Sequence, residues 1–447
     1  MGLSGLEIYK LLPKTNCKKC NFPTCLAFAL ALAKKSTDLA KCPYLSDEAK
    51  MALESASQPP IKLITVGVGE QALSVGNETV LFRHEEKFHH PAGVGLIVED
   101  TLSEAQLAEF VEVIKKLQFE RVGQFLSPGL IAIKNTSGKS QDFASCIKYL
   151  KANSNLNLVL MSGDPDCMRA GLEVCKEKKP LIFSAEEKNL DAFIEIAKEA
   201  KAPLAVSSTE LEKLSELAKK AIDAGCHDLV LNVLKDRLSE KIESLTQIRR
   251  LALKKNFRTF GFPTISVIEK KDVLFDAMSA GALMAKYASI ILLDKPTLGT
   301  VLSLLTLRQN IYSDPQKPLQ VEPKVYPIGS PNEQSPLLVT TNFSLTYYTV
   351  LSEVESSKVS SYILSVDTEG MSVLTAWAAE KFTPEKINES MKKATLESLL
   401  AHKVLIIPGY VAVMSADLEE QSGWKILVGP REASGISPFL KNFNKPR

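Results

Sequence analysis

An excess of basic residues is missing from this chain: 54 Lys and Arg stand against 52 Asp and Glu, a formal +2. That balance excludes the electrostatic footprint of a nucleic-acid or anionic-membrane binder. Long apolar runs are missing too. The longest near the start, Leu26 to Ala33, falls far short of the ~18 residues a membrane span needs. Glu7 and Lys10 stand where a signal peptide would have its apolar core, and no cleavage site follows, so the expected location is cytoplasmic. Cysteine is scarce. Eight in 447 residues are too few for a disulfide scaffold, and half of them (Cys17, Cys20, Cys25 and Cys42) crowd the start. In a reducing compartment such a group is expected to hold metal rather than to form bridges. With 45% hydrophobic and 24% charged residues, neither disorder nor a fibrous structure fits. The length predicts about three domains.

Composition breaks divide the chain. Ser55-Ala56-Ser57-Gln58-Pro59-Pro60 ends a head of residues 1–57. Residues 313–336 carry prolines 315, 318, 323, 327, 331 and 336 in a polar stretch, which reads as an extended, semi-rigid linker. Between them, residues 93–312 alternate apolar runs with amphipathic helical stretches. The runs are Val94–Val98, Leu130–Lys134, Leu158–Met161, Leu181–Phe183, Leu204–Val206, Leu229–Leu231, Ile265–Ile268 and Ile290–Leu293; the helical patterns include Ala105–Leu117, Leu190–Ala200, Leu211–Ala224 and Ala277–Ala288. Near-continuous apolar strands separated by helices predict a parallel sheet covered on both faces, and eight repeats predict an α/β fold of the (β/α)8 TIM-barrel type. Residues 337–447 repeat the pattern on a smaller scale. Strands are expected at Leu337–Thr340, Tyr362–Val366, Val404–Ile407 and Lys425–Val428, and helices at Leu345–Glu355, Val373–Lys381 and Pro384–Leu400. An open, doubly wound, Rossmann-like sheet is expected there.

Residues 58–92 contain Gly67-Val68-Gly69-Glu70-Gln71-Ala72 after an apolar run, a formal match to the dinucleotide fingerprint. A real fingerprint opens a helix. Here Gly76-Asn77 and the strand-like Thr79–Phe82 follow, so a hairpin linker is expected instead.

The head spaces its thiols as Cys17-x2-Cys20-x4-Cys25-x16-Cys42, with Pro43 directly after the last. Structural zinc usually presents two C-x-x-C knuckles. Three close thiols and one remote one suit the four corners of a [4Fe-4S] cubane. Lysines 10, 14, 18, 19, 34, 35 and 41 surround the group against one acid, Asp38, and would favour an anionic cluster. Leu26–Ala33 is expected to bury one side of it. A zinc knuckle with a solvated lysine face is the other reading.

Gly5-Leu6-Glu7-Ile8-Tyr9-Lys10-Leu11-Leu12-Pro13-Lys14-Thr15-Asn16-Cys17-Lys18-Lys19-Cys20, with Pro23-Thr24-Cys25-Leu26-Ala27-Phe28-Ala29, resembles the cluster module of the corrinoid iron–sulfur protein large (gamma) subunits of the acetyl-CoA synthase/decarbonylase system. Thr79–Phe88 and Thr340–Tyr348 resemble stretches of the same subunit, and the likeness covers essentially the whole chain. It implies a [4Fe-4S] head, a barrel, and a corrinoid-binding domain at residues 337–447. It further implies a corrinoid-dependent methyltransferase component of the reductive acetyl-CoA pathway, a methyl carrier acting with partner enzymes. Its Co(I) would take methyl from methyltetrahydrofolate through a methyltransferase and give it to acetyl-CoA synthase/CO dehydrogenase, and the cluster would repair Co(II). The partner in a heterodimer would be the small corrinoid iron–sulfur subunit.

In an open α/β sheet the ligand lies outside the carboxyl ends of the strands. The loops there supply Thr340, Thr341, Thr346, Gly370, Met371, Ser372, Val373, Gly409, Gly429 and Pro430 as candidates for the corrinoid. Such loops occur in any α/β protein, so the composition alone leaves a purely structural reading open. None of the five histidines (84, 89, 90, 227, 402) follows an Asp by two residues, so the D-x-H-x-x-G cobalt-ligand motif is absent. This agrees with the resembled family, whose corrinoid is held without base or histidine coordination. His84, His89 and His90 are expected to dock or hydrogen-bond, and Cys167 and Cys175 to be buried apolar residues. The alternatives are an iron–sulfur electron-transfer subunit without corrinoid, and a barrel enzyme using Ser162, Asp164, Ser207, Ser208 or Asn232. The Pro-rich stretch is expected to let the tail swing, with hinges near 313–317 and 329–334.

Overall fold

Eight runs too apolar for one-sided burial close on one another as a barrel. The computed structural model describes residues 5–33, 36–46, 49–50, 53 and 59–443. They form two compact units: residues up to Phe119 with Leu126–Tyr312, and Glu120–Phe125 with Ser313 onward. A hairpin of β1 (Ile64–Val66) and β2 (Leu73–Val75) precedes the first barrel strand, β3 (Gly93–Glu99). After the short pair β4 (Phe119–Arg121) and β5 (Gln124–Leu126) come β6 (Leu130–Lys134), β7 (Asn157–Met161), β8 (Leu181–Ala185) and β9 (Leu204–Ser208). β10 (Leu229–Val233), β11 (Thr264–Ile268) and β12 (Ala288–Asp294) complete the barrel, in which β3 and β6–β12 pair parallel and close in sequence order. Each expected run lies in one of these strands. The helix expected at 277–288 is shifted: it spans Val273–Ala285, because the Asp272 carboxylate accepts from the N–H groups of Leu274 (3.1 Å) and Phe275 (3.0 Å) and fixes the start.

The 64–92 segment is a hairpin, but its second strand is Leu73–Val75 and not Thr79–Phe82. Gly69–Gln71 makes one 3-10 turn between the strands, so no helix opens there and the dinucleotide reading falls. Among the described residues Thr79–Phe82 joins no strand; barrel side chains take the Val80 and Leu81 carbonyls instead. Arg249 donates to the Val80 oxygen from Nε (3.2 Å) and Nη2 (2.7 Å), and the Tyr287 hydroxyl donates to that of Leu81 (3.0 Å). Arg249 also lies 3.6 Å from the buried Glu78 carboxylate, whose other oxygen accepts from the N–H groups of His89 and His90. Breaking such a pair on one side leaves a buried charge at a cost of about 3–5 kcal/mol.

The second unit is a five-stranded sheet. Its strands are β13 (Val325–Ile328), β14 (Leu337–Thr341), β15 (Ser361–Val366), β16 (Val404–Ile407) and β17 (Lys425–Val428), in the order β13-β15-β14-β16-β17. β14–β17 run parallel and β13 is an antiparallel edge on β15. Residues 325–328 therefore do not belong to a free linker. Pro327 is tolerated because an edge strand pairs on one side only. The expected hinge at 329–334 is bracketed by two strands of this one sheet, which leaves of the two expected hinges only that near 313–317 outside it. Successive β14 side chains alternate between two apolar layers, Leu337 and Val339 on one face and Leu338 on the other. The helix expected over 384–400 divides into Pro384–Lys393 and Leu396–Leu399 at Thr395, whose φ is +48°.

Candidate functional site

The head packs α1 (Gly5–Leu11) against α2 (Cys25–Ala33) over a small core that includes Ile8, Leu12, Cys20, Cys25 and Phe28. The loop between them curls through positive φ at Lys14, Asn16, Lys18 and Asn21. Asn16 Oδ1 accepts from the Cys25 N–H at 2.8 Å, tying the loop to the start of α2. Cys20 and Cys25 are buried, Cys42 lies partly buried beside them, and Cys17 is exposed. The Lys19 backbone N–H and the Thr15 side chain hydrogen-bond the Cys17 sulfur and lower its pKa, favouring a thiolate. No three His, Cys, Asp or Glu side chains among the described residues are gathered closely enough to hold a metal ion. The donor chemistry nonetheless fits an iron–sulfur cluster: four free thiols share one small domain, and one is already biased toward the anion.

Two of the surrounding lysines rest on aromatic rings. Lys19 Nζ donates to the Tyr44 hydroxyl (2.6 Å), and Lys14 Nζ lies 5.8 Å from the Tyr9 ring centre. Lys34 and Lys35 lie outside the described residues. α2 does less burying than expected. Phe28 and Ala29 turn inward, whereas Leu26 and Leu30 are exposed, because an all-apolar helix packed on one side must leave its other face uncovered. Burial pushes the Cys146 and Cys175 thiols up to about 12, and Cys167 is also buried with a raised pKa, consistent with inert packing.

In the second unit the chain leaves β14 through the helix Ser344–Ser357 to β15, then crosses to β16 on the opposite side of β14. Ligands of open α/β sheets bind outside the strand ends at this reversal. A cleft of about 320 Å³ lies there. Of the expected residues it is lined by Thr340, Thr346, Ser372, Val373, Gly429 and Pro430. Leu345, Thr349, Leu374, Tyr410 and Arg431 also line it and were not foreseen. The inward spacing of Leu345, Thr346 and Thr349 on one helix face was the available signal.

Four expected residues do not line the cleft. Thr341 points to the opposite strand face from Thr340. Met371 packs against the core formed by Leu337, Val339 and Leu364 and does not line the cleft. Gly370, at φ +75°, faces Gln320, whose Cγ would lie 2.7 Å from an added Cβ. A Cβ on Gly409 would meet the Gly429 oxygen at 2.6 Å, so this glycine lets two loops cross and supports the cleft from behind.

Buried hydroxyls mark the strand ends. Thr340, Thr341, Ser344 and Ser365 are at most 3% exposed, yet their side-chain oxygens have no hydrogen-bond partner among the described residues. Leaving such a group unpaired costs about 1–3 kcal/mol, and Thr340 reaches the cleft, so a ligand bearing amides would fit. Asn342 organises the adjacent loop. Its Oδ1 accepts from the Thr368 N–H (2.9 Å), the Thr368 hydroxyl (3.0 Å) and the Gly370 N–H (3.1 Å). Its Nδ2 donates to Gln320 and Asp367, both at 3.1 Å. Across the rim, Tyr410 donates to the Glu432 carboxylate, which raises the phenol's pKa.

His402 sits at the amino end of β16, the end remote from the cleft, with its ring nitrogens hydrogen-bonded to the Ser335 oxygen and the Val404 N–H. His89 and His90 hydrogen-bond Glu86 and the Gly76 oxygen, and His84 stacks on Phe82 at 5.7 Å. The barrel residues are occupied structurally: Asn232 donates to Ser207 at 3.0 Å, Ser162 to Asn135, and Asp164 caps the helix Pro165–Cys175. No nucleophile–base pair forms among them.

Residues 63–440 match the family described as "CO dehydrogenase/acetyl-CoA synthase delta subunit", and residues 12–44 match an Fe-S cluster family. The chain is 46% identical over 441 residues to the "Corrinoid/iron-sulfur protein large subunit" of Moorella thermoacetica, covering 99% of each. It is 36% identical over 453 residues to the "Acetyl-CoA decarbonylase/synthase complex subunit gamma" of Methanothermobacter thermautotrophicus, covering 98% of this chain and 99% of that one. The corresponding gamma subunit of Methanocaldococcus jannaschii is 33% identical over 469 residues, with 98% and 96% covered.

Proposed function

The chain belongs to the family of corrinoid/iron–sulfur large, or gamma, subunits, and from that premise we propose that it is a cytoplasmic methyl carrier. When bound, the corrinoid supplies a cobalt that takes methyl from methyltetrahydrofolate through a methyltransferase and yields it to acetyl-CoA synthase, and a [4Fe-4S] cluster supplies the electron that restores Co(I). The observation that carries this reading is the apolar cleft at the sheet's switch point, with the buried Thr340 hydroxyl unpaired inside it. Thr340, Thr346, Ser372 and Gly429 would meet the macrocycle's amide side chains, while Cys17, Cys20, Cys25 and Cys42 would hold the cluster. No histidine reaches cobalt in this reading; the position of His402 at the far strand end supports it.

The visible spectrum of protein purified without oxygen tests the proposal. Corrinoid bands together with a broad iron–sulfur absorption near equal stoichiometry are the expected result. Iron–sulfur absorption with no corrinoid uptake after reconstitution would leave an electron-transfer subunit instead.

A partner surface accompanies this reading. The barrel helix Val273–Ala285 and its neighbour Leu298–Tyr312 leave Leu274 (79%), Met278 and Leu298 exposed on an apolar face. Helices apolar on all sides are normally covered, and the small subunit is the occupant that a "large subunit" implies. Leu274→Glu should weaken the heterodimer by roughly 100-fold in sedimentation, since a charge would have to be buried unpaired. Undiminished association would move the interface elsewhere.

A further inference from the structure

The cleft holds one charged side chain among the described residues, Arg431. Its neighbours are neutral: Leu338, Val350, Ile406 and Ile436 are apolar, and Thr346 and Thr349 offer hydroxyls. Arg431 makes no hydrogen bond or ion pair among the described residues. The adjacent Glu432 carboxylate accepts from the Tyr410 hydroxyl and forms no ion pair with Arg431. Its backbone is nevertheless rigidly set. The Gly409 N–H donates to the Pro430 oxygen at 3.0 Å, and a Cβ on Gly409 would stand 2.8 Å from the Arg431 nitrogen. Arg431 is exposed where it lines this apolar cleft, so its guanidinium is open to an anion, and its planar fork of donors matches a phosphate.

We propose that Arg431 binds the phosphodiester of the corrinoid's nucleotide loop and so makes this protein select complete corrinoids over truncated ones. The inference rests on the corrinoid reading of the cleft. The corrin ring's peripheral side chains are neutral amides, which the cleft's hydroxyls and backbone suit. The nucleotide loop carries the cofactor's phosphate, for which the cleft offers this one cation. Arg431 is a specificity-determining residue on this account, and it touches no reacting atom.

The test uses the full chain co-produced with its small subunit and freed of corrinoid. Cobinamide, cobinamide phosphate and hydroxocobalamin are titrated into it, with visible absorption and equilibrium dialysis as readouts. Cobinamide lacks both the phosphate and the nucleoside, and cobinamide phosphate carries the phosphate, as a monoester, without the ribose and base, so the phosphate's contribution separates from the nucleoside's. The wild type should bind both phosphate-bearing forms about tenfold to a hundredfold more tightly than cobinamide. Arg431→Ala and Arg431→Gln should erase that margin while leaving cobinamide affinity unchanged, and Arg431→Lys should keep part of it. Added salt should weaken only the phosphate-bearing forms, and only in the wild type. Equal loss for all three ligands would make Arg431 a support of the cleft and overturn the inference. A margin that survives in the variants, or one seen only with the base-bearing form, would overturn it too. If the wild type took up none of the three, the corrinoid reading itself would fall, and this inference with it.

Discussion

Cys20→Ala should abolish the [4Fe-4S] signal of the anaerobically reconstituted protein while leaving corrinoid uptake at the wild-type level. A cubane needs a thiolate at each of four corners, and the head offers only Cys17, Cys20, Cys25 and Cys42. The other four cysteines are buried in the barrel unit, three of them held protonated by burial at about 11 to 12, so none can stand in. The cleft proposed for the corrinoid lies in the other unit and shares no residue with the head. Loss of the cluster should therefore uncouple the two functions. Reductive reactivation from Co(II) should stop, yet protein already carrying Co(I) should still accept one methyl group. Cys226→Ala is the matched control and should keep both signals. Protein that contains zinc and no iron when isolated without oxygen would overturn the cluster assignment outright.

The parts of the fold that were legible in the sequence are those set by burial on both faces. β6, for example, could be placed to the residue, because Leu130-Ile131-Ala132-Ile133 leaves no solvent side. The misplaced parts depend on side chains that arrive from far along the chain. Thr79–Phe82 has strand composition but loses its pairing to Arg249 and Tyr287, more than 160 residues away. β13 hides in a proline-rich stretch because an edge strand demands so little of its sequence. In the cleft, loop composition found Thr340, Ser372, Gly429 and Pro430, since loops at strand ends are fixed by topology. It could not separate Thr340 from Thr341, which differ only in strand face. Nor could it show that Gly409 serves a loop crossing rather than the ligand.

Asn342→Leu should reduce corrinoid affinity by at least about 100-fold and destabilise the second unit by about 3–5 kcal/mol. Asn342 is 1% exposed and uses both ends of its amide. The oxygen holds the Thr368 and Gly370 N–H groups and the Thr368 hydroxyl; the nitrogen holds Gln320 and Asp367. Leucine matches the volume and replaces none of these bonds, so several buried groups lose a partner together and the loop that presents Ser372 and Val373 to the cleft is released. Asn342→Asp separates the hydrogen bonds from the shape. A carboxylate can still accept the three donated bonds, but it faces the Asp367 carboxylate where the amide N–H stood, 3.1 Å away. Two carboxylates so close favour sharing one proton, which raises the pair's pKa above that of the unfolded chain. The folded state then binds more protons than the unfolded one, so stability must rise as pH falls. Urea unfolding should accordingly show Asn342→Asp gaining stability relative to wild type between pH 7.5 and pH 5, whereas Asn342→Leu should remain low across the range. Corrinoid affinity should follow the same order at each pH. If Asn342→Leu bound corrinoid as the wild type does, the loop after β15 would have no part in the cleft, and the candidate residues Ser372 and Val373 would have to be withdrawn.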